Sequence, residues 1–75
     1  MFEELATVVL NRDIREQGLI AGDVGAIVHK YHDGSGFEVE FVAGNGRTIV
    51  LVTLTATDFR TMEEHDILHV RKLAA

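Results

Sequence analysis

Phe37-Glu38-Val39-Glu40-Phe41-Val42, Ala43-Gly44-Asn45-Gly46-Arg47 and Thr48-Ile49-Val50-Leu51-Val52-Thr53-Leu54 run consecutively, and this stretch decides the fold. Its first part alternates apolar and acidic residues with a period of two, the pattern of a half-buried strand. Phe37, Val39 and Phe41 are therefore expected to face a core, with Glu38 and Glu40 on the wet face. The middle part contains Asn-Gly, a pair suited to tight hairpins because both residues tolerate the left-handed region. The third part is apolar on both faces, which predicts a strand buried from two sides. Its outer face would be covered by the strand at 5–10, by the loop at 14–20, or by a second copy of the chain.

The rest of the sequence extends the β pattern in both directions. Residues 5–10 are short, apolar and β-branched, and Asn11-Arg12-Asp13 ends them in a turn. Residues 14–23 read as a loop with room for one helical turn, and Gly18 and Gly22 mark points where a positive φ is called for. Residues 24–31 form a second strand in which Gly25 predicts a bulge or the close approach of another backbone. After a turn at 32–36 comes the hairpin already described. Residues 57–60 then read as one turn of 3₁₀ helix, with Phe59 plugging an open end. The last strand is expected at 67–72, with Leu68 and Val70 facing in and His69 and Arg71 facing out. The predicted fold is all-β: a small five-stranded SH3-like barrel with a short 3₁₀ turn before the last strand.

At 75 residues, 47% hydrophobic and 25% charged, the chain is expected to make a single domain over 1–75, near the size limit for a core unaided by cross-links. There are no cysteines, which excludes disulfides and thiolate metal cages. No apolar run reaches the length of a signal or membrane span, and the first residues are acidic, so a cytoplasmic protein is expected. Twelve acidic against seven basic residues give a net charge of -5, which opposes binding to a phosphate backbone. The basic residues are scattered, and only Arg71-Lys72 are adjacent.

Ala21-Gly22-Asp23-Val24-Gly25-Ala26-Ile27-Val28, followed by Phe37-Glu38-Val39-Glu40-Phe41-Val42, resembles an uncharacterised family of small bacterial proteins classed as a domain of unknown function. The resemblance runs from about Leu5 to Arg60 and implies no catalytic residues. The Gly-Asp-x-Gly-x-Ile-Val segment is also similar to the opening of other SH3-like barrels, including KOW-type ribosomal and transcription-factor domains and the nitrile hydratase β-subunit. That likeness concerns how a chain enters a bent strand rather than what it binds.

Chemistry-bearing constellations are few. His65 and His69 have the spacing that pairs two ligands on a helix. In an extended segment the same spacing separates them by roughly 13 Å, too far for one ion, so no metal site is expected. Glu38 and Glu40 lack an accompanying nucleophile or apolar pocket, and Gly44-Asn45-Gly46 lacks the Lys and helix of a phosphate loop. Neither catalysis nor a cofactor is expected. His29 and Tyr31 supply hydrogen-bonding rings, Glu38 and Glu40 an acidic stripe, and Ile49 and Leu51 an apolar surface. These six are the expected partner-binding residues of a non-catalytic protein-interaction module, the small acidic partner of a more basic protein in the manner of an antitoxin or accessory subunit. The alternative is a KOW-like nucleic-acid-binding barrel, which the charge disfavours. A homodimer through 48–54 is a separate expectation.

Overall fold

The computed structural model describes residues 4–73. Five antiparallel strands, β1 (Thr7–Leu10), β2 (Val24–Lys30), β3 (Phe37–Val42), β4 (Thr48–Leu54) and β5 (Phe59–Thr61), form one sheet in the order β4-β3-β2-β1-β5. β3 and β4 have the bounds that alternation and the Asn-Gly pair predict. Within the turn between them only Gly46 takes a positive φ, of 84°. Asn45 instead accepts the Arg47 N–H on Oδ1 at 3.0 Å, and Gly46 donates to the Ala43 carbonyl at 2.9 Å. No hydrogen-bonded ladder joins β4 to β5, so the expected barrel is left open between them.

The inner face is built by register. Phe37 pairs with Leu54, Val39 with Val52 and Phe41 with Val50 across β3 and β4, while Ile27 of β2 lies opposite Val39. Phe37, Val39, Phe41, Ile27 and Leu54 are buried, and Val8 and Leu10 of β1 and Phe59 of β5 complete the cluster. The Phe37 and Phe59 rings meet edge to face, with centroids 5.4 Å apart. Ile14 and Leu19, in the long first loop, exchange backbone hydrogen bonds of 2.9 and 3.1 Å, which folds the loop back so that both side chains enter the core. The 3₁₀ turn at Arg15–Gln17 lies inside this fold, and Gly18 closes it at φ 74°.

Two expectations about the end of the chain are corrected. Among the described residues the one 3₁₀ turn stands between β1 and β2, not before the last strand. The Asp58 carboxylate accepts the Thr55 N–H at 2.8 Å, and the Asp58 N–H reaches the Thr55 carbonyl at 2.9 Å. This compact four-residue turn delivers the chain straight into an extended conformation, so Phe59 is a residue of β5, opposite Leu10, rather than the plug of a helical turn. The last strand is accordingly 59–61. Residues 67–72 form no strand, and Leu68 and Val70 face solvent, Val70 with 98% of its surface exposed. Among the described residues no helix is long and apolar enough to cross a membrane.

Residues 62–73, here called the arm, are held to the body by charged clasps. Arg60 grips Asp66 with two hydrogen bonds of 2.8 and 3.0 Å. Arg71 donates to both oxygens of Asp23 at 2.8 and 2.6 Å and to the Gly18 carbonyl at 2.9 Å. The Arg60 guanidinium, followed by the Glu63 N–H, lowers the Asp66 carboxyl to about 2. A carboxyl whose folded pKa lies below its unfolded one contributes stability that is complete above about pH 4 and fades as the pH falls toward the folded value. An NMR titration should therefore give Asp66 a midpoint near 2. Arg60→Gln should return it toward an ordinary aspartate, and an ordinary midpoint in the native chain would refute the clasp.

Candidate functional site

Outward-facing residues of β2, β3 and β4 form the most organised polar surface of the molecule. His29 lies opposite Glu38, Glu38 opposite Thr53, and Glu40 opposite both Ala26 and Leu51. Directly opposed residues of an antiparallel pair share a face, so this register gathers His29, Glu38, Glu40, Thr53 and Leu51 together. A register shift between Ile27 and His29 on β2 reaches this arrangement, taking up Val28 as the extra residue. Gly25 fits the close approach read from sequence. A Cβ there would stand 2.8 Å from Phe41 Cε2 and 2.9 Å from the Glu40 carbonyl oxygen.

The two glutamates are fixed by neutral hydroxyls. Glu38 Oε1 accepts Tyr31 Oη at 3.2 Å and also the Thr53 hydroxyl, and Glu40 Oε2 accepts Thr48 Oγ1 at 2.5 Å. Tyr31 stands edge to face with His29, with centroids 4.8 Å apart, and His29 Nδ1 lies 3.7 Å from Glu4. Partial burial, then the charge and hydrogen bond of Glu38, push the Tyr31 hydroxyl above its ordinary pKa. It therefore stays protonated and donates to the carboxylate. Leu51, 53% exposed, is the apolar element of the face.

Ile49 does not join this group. The register shifts between Phe41 and Val42 opposite it, and Ile49 lines a cleft of about 300 Å³ with Leu19, Phe41, His69, Val70 and Leu73. The outer face of β4 is not covered by β1, which lies beyond β3 and β2 in the sheet. His65 and His69 are both exposed, and among the described residues no three of His, Asp and Glu converge as a metal site.

Elsewhere three aspartates meet arginines. Asp58 accepts Arg12 Nε at 2.8 Å, Asp66 is held by Arg60, and Asp23 by Arg71. Burial acts to raise the Asp23 and Asp58 carboxyls, but hydrogen bonds from Arg71 and Ile20, and from Thr55 and Arg12, outweigh it and lower both. These clasps join residues up to 48 positions apart, so sequence reasoning missed them. Their only local sign is that the basic residues are scattered along the chain among acidic ones.

A family model described as a domain of unknown function (DUF4926) matches residues 4–61. The chain belongs to the DUF4926 family. This span agrees with the resemblance read from about Leu5 to Arg60. It contains all five strands and the whole acidic face, while the arm beyond Thr61 lies outside it. No curated protein and no solved structure matches the DUF4926 chain.

Proposed function

We propose that the chain is a non-catalytic protein-interaction module whose outer β2-β3-β4 face receives a basic segment of another protein. It would then be the small acidic member of a pair, in the manner of an antitoxin or accessory subunit. One observation carries this reading. Among the described residues Glu38 and Glu40 are oriented by hydroxyls and have no cationic partner, whereas Asp23, Asp58 and Asp66 each have an arginine. Hydroxyl donors fix a carboxylate without cancelling its charge, so an incoming Lys or Arg meets acceptors already in place. Leu51 and the Tyr31 ring offer adjacent apolar surface, and the net charge of -5 steers cations toward the molecule. A nucleic acid would instead meet this negative face with its phosphates.

The test uses a Lys/Arg-rich peptide as probe, titrated at low and at physiological salt. Binding should weaken with salt, and Glu38→Gln/Glu40→Gln should weaken it by about tenfold or more, while the thermal melt changes little. Equal peptide affinity for both chains would reject the reading.

A further inference from the structure

Among the described residues the chain carries two halves of a strand pairing that are not joined to each other. One half is the outer edge of β4. Among the described residues its backbone bonds only to β3, and its seven residues include no charge and no proline to block addition of another strand. Behind this edge Val50 and Val52 pack against the core and are only partly buried, and among the described residues no further strand closes the sheet on that side.

The other half is the arm. Ile67-Leu68-His69-Val70-Arg71-Lys72 has the composition and alternation of a strand, but among the described residues the backbone of 67–73 makes no hydrogen bond to another backbone. Ile67, Leu68 and Val70 are 83%, 65% and 98% exposed. The Arg71 clasp on Asp23 and Gly18 holds this part of the arm to the body, and His69, Val70 and Leu73 line the cleft beside Ile49.

We propose that the arm of one copy adds as a strand to the β4 edge of a second copy, and reciprocally, giving a two-fold dimer by arm exchange. The two surfaces fit each other in polarity and charge. Side chains alternate along a strand, so if Leu68 and Val70 continue the inner row beside Val50 and Val52, His69 and Arg71 fall on the outer face. There Arg71 stands two strands from Glu38 and Glu40 and, on leaving Asp23, brings its cation to an acidic stripe that has no cationic partner among the described residues, while Lys72 falls on the opposite face. That complementarity favours a second copy over an unrelated partner. The proposal goes beyond the acidic-face reading and stands without it.

Sedimentation equilibrium of the full chain tests it, and the native protein is expected to reach twice the chain mass as concentration rises. Leu68→Glu/Val70→Glu alters only exposed side chains, so the fold should survive while the dimer dissociation constant rises by at least about tenfold. Leu51→Lys, on the receiving edge, should do the same. Mixing the two variants should restore part of the association, since each retains the half that the other lacks. A native chain that stays monomeric at its solubility limit overturns the proposal. So does a dimer that ignores the arm substitutions, which would mean that β4 edges pair with each other.

Discussion

Phe41→Ala is expected to leave the chain largely unfolded. Phe41 is 2% exposed, lies opposite Val50 in the β3-β4 ladder, and packs in the same cluster as Val39, Ile27 and Phe59. Truncating a buried phenylalanine costs about 3–5 kcal/mol, because the apolar surface is lost and the surrounding strands cannot collapse into the space. A core of this size, without disulfides or metal, supplies roughly 3–5 kcal/mol in total. The two quantities are equal in size, so the native state should lose its majority. Circular dichroism should show no cooperative melt for the variant under conditions where the native chain melts cleanly. A melting temperature unchanged from the native chain would remove Phe41 from the core.

Gly25→Ala should produce the second-largest loss, through the opposite defect. Gly25 has no positive φ, so backbone conformation does not explain the residue; space does. An added Cβ would lie 2.8 Å from Phe41 Cε2, 2.9 Å from the Glu40 carbonyl oxygen and 2.9 Å from Val39 Cγ1. The carbonyl belongs to a strand paired with β2 itself, so relief requires the β2-β3 ladder to shift. Overpacking of this kind costs about 1–3 kcal/mol, and in a chain this short each kcal/mol lowers the melting temperature by roughly 4–8 °C. Gly44→Ala is the control. A Cβ at Gly44 meets nothing within 4 Å, and its effect should stay within about 0.5 kcal/mol. Equal melting temperatures for the two variants would show that the close packing around Gly25 is not there.

These two sites show what kind of information was legible in advance. The alternation of Phe37–Val42 placed Phe41 in the core, and a glycine inside a strand pattern marked Gly25 as a close approach; both are properties of a few neighbouring residues. The same reasoning failed at 67–72. Those residues alternate as a strand should, but alternation states only that a segment could be a strand, not that an edge is free to receive it. The outer edge of β1 is taken by Phe59–Thr61, whose register sets Phe59 opposite Leu10 and carries its ring onto Phe37. Thr57-Asp58-Phe59-Arg60 read as a helical turn because the dominant local interaction, Asp58 capping Thr55, belongs to a turn that begins two residues earlier.

The candidate face divides along the same line. Glu38 and Glu40 were placed outward by period alone, but their hydroxyl partners depend on register. Thr53 sits 15 positions from Glu38, and Tyr31 faces it across a turn. Ile49, grouped with Leu51 because both lie on β4, was separated from it by the register shift at Phe41 and Val42.

By itself the sequence determined the all-β class, the bounds of the central hairpin, the inward row of Phe37, Val39 and Phe41, and the acidic stripe opposite it, because side-chain alternation along a strand is a local geometric fact. Tertiary structure alone decided which segment became the fifth strand, which carboxylates found arginines and which were left without one, and that the β4 edge stayed open. Those outcomes depend on competition between distant segments for a limited number of strand edges and cations, and no local pattern records who wins.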